Sequence, residues 1–234
     1  SLYNSNYHNR FDKSCFVLNY GQVPLTKSRY LKYATQEEHP YGENAIVAIM
    51  CYSGYNVEDA VIINEGSLKR GLFRTTYYNT YQAFEEMEKM GSVTVEKKFM
   101  NVIDNNVIGL KAGYDYTQLD ELSGIVKENT VVTDKSVIIG MGTNSITHID
   151  TYVDNSVYAK KGQVGIVDKA FMTEGEEGKR IAKVRIRGER IPQMGDKFCS
   201  RAGQKGTIGI ILPECDMPCT EDGLRPDIIV NPHA

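Results

Sequence analysis

The chain has 234 residues, 41% of them hydrophobic, and a formal net charge of −3. That length supports one large domain or two small ones with a real core. The charge excludes a globally basic nucleic-acid binder, so any such surface has to be a local patch. No apolar run approaches membrane-spanning length.

The 21 Gly and 15 Tyr, with no Trp, suggest a strand-rich and turn-rich fold. Five cysteines, an odd number at irregular spacing, read as free thiols in a reducing compartment. Cys215 and Cys219 form a lone C-x-x-x-C with no second pair, which argues against a structural zinc. The sequence opens on Ser1 and stops at His233-Ala234 just after an apolar run, so it is expected to be a piece of something longer.

In chain order, residues 1–43 lack periodicity and read as extended loop with short strands. The apolar run 45–51 suits a strand buried on both faces or a buried helix segment. Ser53-Gly54-Tyr55-Asn56 is turn chemistry, Glu58-Asp59 follows, and a second apolar run covers 60–63. Residues 67–71 predict a brief helical turn stopped by Gly71. From about 75 the character changes to short alternating segments split by Gly, Asn and Asp. Strands are expected at 76–81, 92–98, 136–140 and 163–167, a helix at 82–90, and a polar loop at 144–155. Glu174-Gly175-Glu176-Glu177-Gly178 predicts a hairpin joining 165–173 to 180–187. Beyond 191 the clear strands are 207–212 and 228–230.

Charge is concentrated between Lys179 and Lys205, where nine basic residues oppose only Glu189 and Asp196, a local +7. Lys183, Arg185 and Arg187 alternate with Val184 and Ile186. On a strand this puts three cations on one face, either a solvated face or a stripe for phosphates. Lys197 and Lys205 lie among Gly195, Gly203 and Gly206, with Arg201 and Gln204 between them. Small residues allow close backbone approach and lysine supplies a compact charge for phosphate oxygens; the same pattern also fits a basic hairpin surface. The order Lys205-Gly206-Thr207 is not that of a P-loop. Glu58-Asp59 is either an ordinary acidic turn or a pair that helps hold Mg²⁺ beside a triphosphate.

At these residues the sequence resembles the second-largest subunit of multisubunit DNA-dependent RNA polymerases. The block from Tyr52 through Asn56 to Ala60 carries the resemblance, and Lys69-Arg70-Gly71-Leu72-Phe73-Arg74 extends it in the eukaryotic, archaeal and large-DNA-virus style. Residues 195–207 resemble the block with two active-centre lysines, and 216–234 the block that follows. The resemblance implies a mainly β fold, a double-psi β-barrel in a hybrid-binding region formed by 1–74 and 191–234. A β-rich wall or flap at 75–190 would be inserted between its halves. It implies that Lys197 and Lys205 lie near the RNA 3′ end and the nucleotide phosphates, supported by Arg201 and Gln204. Asp59 with Glu58 would lie near a second Mg²⁺ and act on it indirectly, and the principal Mg²⁺ site would belong to the largest subunit. The family commonly has His where Ala202 stands, and its nucleotide-contacting arginine and triple-aspartate motif are not in this sequence. The implied partners are the largest and other polymerase subunits, DNA template, nascent RNA and nucleoside triphosphates, with no membrane. The setting is intracellular, in a nucleus or in a viral factory or virion. Two other readings fit the charge pattern: a non-catalytic nucleic-acid-binding β module, and a scaffold on which other subunits dock.

Overall fold

The computed structural model describes residues 6–35, 37–147 and 150–234. Residues 1–5 of the expected N-terminal loop, and residues 148 and 149 of the expected loop at 144–155, lie outside the described residues. The chain is mainly β and forms two compact units. One comprises Val17–Thr76 and Glu189–Ala234, and the other Tyr7–Phe16 and Tyr77–Gly188.

The first unit is organised by a mixed five-stranded sheet. Its strands run in the order Lys197–Cys199, Lys205–Leu212, Ala60–Asn64, Ile228–Val230 and Val47–Ile49. The second and third strands are parallel, Ile228–Val230 is antiparallel to Ala60–Asn64, and Val47–Ile49 is parallel to Ile228–Val230. Strand alternation divides the apolar residues between two faces. Val61, Ile63 and Ile208 share one cluster with Leu68 and Phe198, while Ile62 and Ile229 share another with Met217 and Ile210. Ile208 and Ile210 are two apart yet sit on opposite faces. The register shift between them, at Gly209, adds one residue to the strand and inverts the alternation. The helical turn expected near 67–71 is the helix Glu65–Lys69, capped by Asn64, whose side chain accepts from the Gly66 N–H.

The expected two-faced burial of 45–51 is overturned. Val47–Ile49 is the last strand of its sheet and leaves Val47 and Ile49 exposed, Ile49 at 72%. The buried strand of this sheet is Ala60–Asn64, where Val61 to Asn64 are all buried and which has a partner on both sides.

The second unit centres on a sheet ordered Ser14–Leu18, Thr75–Phe84, Arg180–Arg190, Gly165–Glu174 and Val131–Val132. The expected hairpin is present, with Glu174 opposite Arg180 and a register shift between Val167 and Lys169. Ala182, Val184 and Ile186 face the core with Val167 and Ile138. No helix forms at 82–90. Asn79, Tyr81 and Ala83 are buried at every second residue, so the strand period continues to Phe84, and Met87–Met90 then pairs with Val93–Phe99. Glu85 fixes this switch. Its carboxylate accepts from the Phe99 N–H at 3.1 Å and from the Arg180 guanidinium at 2.6 Å. The polar stretch 144–155 is also more ordered than a loop: Met141–Asn144 pairs with Tyr152–Asp154.

Candidate functional site

In the first unit the two lysines stand on one hairpin. Lys197 lies opposite Thr207 and Cys199 opposite Lys205, with Phe198 opposite Gly206. Phe198 packs into the cluster of Val61 and Ile208 and stacks on Phe73 at 4.7 Å between ring centroids. Alternation therefore puts Lys197, Cys199, Lys205 and Thr207 on the other face, where both lysines are exposed. The turn between the strands is closed by bonds from Ser200 N–H to Gln204 O and from Gly203 N–H to Ser200 O, each 3.0 Å. Gly203 has φ +89°, which a residue with a side chain adopts only at a cost. Arg201, Ala202 and Gln204 are exposed on this turn.

The acidic pair arrives beside it on the neighbouring strand. Thr207 registers with Ala60, and the Thr207 N–H donates to the Asp59 carbonyl at 3.1 Å. Adjacent strands lie about 4.8 Å apart, so Lys197, Thr207 and Ala60 form a row across three strands, and Asp59 directly precedes Ala60 in the chain. Glu58 and Asp59 are exposed, and Glu58 adopts φ +57°. The sheet thus sets the main chain of Asp59 beside the hairpin that carries Lys197 and Lys205, although the acids and the lysines are far apart in sequence.

Among the described residues no group of three or more His, Cys, Asp or Glu is arranged to hold a metal. Two exposed carboxylates alone do not make a closed cage. They fit Mg²⁺ that arrives with a phosphate ligand, because Mg²⁺ keeps several waters and takes one or two carboxylates beside substrate phosphates.

The stripe at Lys183, Arg185 and Arg187 lies in the second unit. Its face is the expected one, opposite Val184 and Ile186, but its use differs. Arg185 is only 3% exposed. Its guanidinium donates to Asp168 at 2.5 Å and to the carbonyls of Tyr7, His8 and Arg10 at 3.3, 3.1 and 2.7 Å. It also lies over the rings of Phe11 and Tyr78. A cation so enclosed meets no phosphate, so Arg185 is removed from the nucleic-acid-binding set. Arg187 also pairs with Asp168, at 2.8 Å, while Lys183 is half-buried opposite Phe171. Burial works against ionisation of Asp168, but the hydrogen bonds from Arg185 and Arg187 overcome it and hold the carboxyl below its usual range.

Sequence reasoning missed Asn56, which is buried beneath the acidic turn, and Gly209, which forms the bulge beside it. The only local signal was their type: an Asn in a turn and a Gly inside a strand.

The family described as RNA polymerase Rpb2, domain 6, matches residues 1–234. The DNA-directed RNA polymerase II subunit RPB2 of Schizosaccharomyces pombe is 40% identical over 242 residues, and subunit 2 of the Arabidopsis thaliana enzyme is 42% identical over 241. The DNA-directed RNA polymerase subunit Rpo2 of Sulfolobus acidocaldarius is 40% identical over 241 residues. Each alignment takes in 100% of this chain but only 20% or 21% of the relative, so the chain spans about a fifth of their length.

Proposed function

This chain belongs to the family of RNA polymerase Rpb2, domain 6, and from that premise we propose that it supplies half of a shared nucleotidyl-transfer site for DNA-templated RNA synthesis. The observation that carries the proposal is the main-chain bond between Asp59 and Thr207, which ties the acidic turn to the strand flanked by Lys197 and Lys205. Phosphoryl transfer needs positioning and charge neutralisation more than covalent help, and this cluster offers both. Lys197 and Lys205 neutralise phosphate oxygens of the nucleotide and the RNA 3′ end. Asp59, with Glu58, faces the Mg²⁺ that accompanies the nucleotide, through water. That ion supplies charge neutralisation at the phosphates when bound, and the principal Mg²⁺ belongs to the largest subunit. The mixed sheet is then part of a double-psi β-barrel in the hybrid-binding region, and the second unit is the wall or flap. Template DNA, nascent RNA, nucleoside triphosphates, the largest subunit and other polymerase subunits are the partners this role requires.

The direct test is Asp59→Asn in the assembled polymerase. Nucleotide addition is expected to fall about tenfold at limiting Mg²⁺ and to recover as Mg²⁺ rises, since a weakened water-mediated contact is offset by mass action. A loss that is the same at every Mg²⁺ concentration would remove Asp59 from the metal side.

Arg201, Gln204, Lys183 and Arg187 extend this role as phosphate contacts. Lys183→Ala should lower the log–log salt slope of nucleic-acid retention by about one unit. An unchanged slope would leave Lys183 as a solvated surface residue.

A further inference from the structure

Asn56 is 1% exposed, so its amide has to find partners inside the protein. Its Oδ1 accepts from the Tyr52 N–H at 3.3 Å, and its Nδ2 donates to the Met50 carbonyl at 2.8 Å. Those two bonds clamp the base of the turn that ends in Glu58 and Asp59. A carboxamide can accept and donate at one position, which neither a carboxylate nor a hydrocarbon of that size can do. Gly209 supports the same turn from the neighbouring strand. A Cβ on Gly209 would lie 2.1 Å from the Tyr55 carbonyl oxygen, so the turn can approach this closely only over bare backbone. The far end of the turn is held by Ala60 N–H to Val57 O and Thr207 N–H to Asp59 O, both 3.1 Å.

We propose that Asn56 and Gly209 are positioning residues that fix the Glu58–Asp59 pair against the lysine hairpin before any nucleotide arrives. The inference rests on the reading of Asp59 as the metal-side acid. Mg²⁺ demands near-ideal geometry, so a displaced acid costs most when the metal is scarce.

The experiment uses the assembled polymerase carrying Asn56→Asp, which keeps the acceptor and the size of the side chain but turns a second oxygen toward the Met50 carbonyl. The expected result is a loss of nucleotide addition of about tenfold at limiting Mg²⁺. Asp59→Asn added to it should cost little more, because both changes act through one group. Gly209→Ala should give the same Mg²⁺ signature, and it carries the test if the Asn56 variant fails to assemble. Losses that multiply independently, or that ignore Mg²⁺, would overturn the proposal. Should Asp59→Asn alone show no Mg²⁺-dependent loss, the functional reading fails instead. Hydrogen exchange at the Thr207 amide then still decides the placement: faster exchange in Asn56→Asp supports it and unchanged exchange overturns it.

Discussion

A polymerase carrying Lys205→Ala or Lys197→Ala is expected to lose nucleotide addition by about a hundredfold or more while holding its template nearly as well as the parent enzyme. The reason lies in when the charge is needed. Negative charge on the transferring phosphate and leaving group shifts during transfer, so a fixed cation contributes more in the transition state than in the bound complex. The fold keeps both cations fixed at the backbone. Phe198, half-buried between Lys197 and Cys199 in the chain, packs against the cluster of Val61 and Ile208, and the Ser200–Gln204 bonds close the hairpin, so the strand pairing holds both lysines on the opposite, exposed face. Lys205→Arg should recover only part of the loss, since a planar fork replaces a compact charge. Single-nucleotide addition and hybrid retention, measured on the same complexes, separate the possibilities. An equal fall in both would support a binding module, and no fall in either a docking scaffold.

The parts of this site that follow strand alternation and turn chemistry were legible from the residues. Gly195, Gly203 and Gly206 marked the lysine hairpin, and Ser53-Gly54 marked the turn before the acids. What brings the two together was not legible. The parallel pairing of Lys205–Leu212 with Ala60–Asn64 joins segments about 145 residues apart, and no local pattern encodes it. The bulge at Gly209 inverts the face of every residue after it, so unbroken alternation misassigns Ile210 and Leu212. The apolar run 45–51 suggested burial because composition cannot distinguish a central strand from an edge strand. The acidic residues of 82–90 suggested a helix because Glu is a good helix former, while Arg180, which binds Glu85 in the link between two strands, lies 95 residues away. The same limit applied to the basic stripe. Alternation gave its face correctly, but Asp168 and the carbonyls around Tyr7 that occupy Arg185 are brought to it only by the fold.

Arg185→Ala is accordingly expected to act on stability rather than on nucleic-acid affinity, at a cost of about 3–5 kcal/mol. The substitution leaves the half-buried Asp168 with only Arg187 as counter-ion, and it strips the carbonyls of Tyr7, His8 and Arg10 of their shared donor. It also removes the cation from between Phe11 and Tyr78, where desolvation strengthens the attraction to both rings. Residues 7–16 should lose protection first, because three of their carbonyl contacts end on this one side chain. Hydrogen exchange of the assembled enzyme should therefore quicken over 7–16 in Arg185→Ala and stay unchanged in Lys183→Ala. Arg185→Lys should fall between them, since an ammonium cannot reach the carboxylate and all three carbonyls in the geometry of a guanidinium. Acid supplies an independent check. The folded Asp168 carboxyl titrates below its usual range, so its contribution is complete above the unfolded pKa and is lost as pH falls through the lower folded value. Protection of 7–16 should thus decline on the acid side of the ordinary carboxylate range in the parent, and that decline should shrink in Arg185→Ala, where the pair has already been broken. A parent protein whose 7–16 exchange ignores both the substitution and the acid would show that the segment is held by other contacts, and would return Arg185 to consideration as a surface cation.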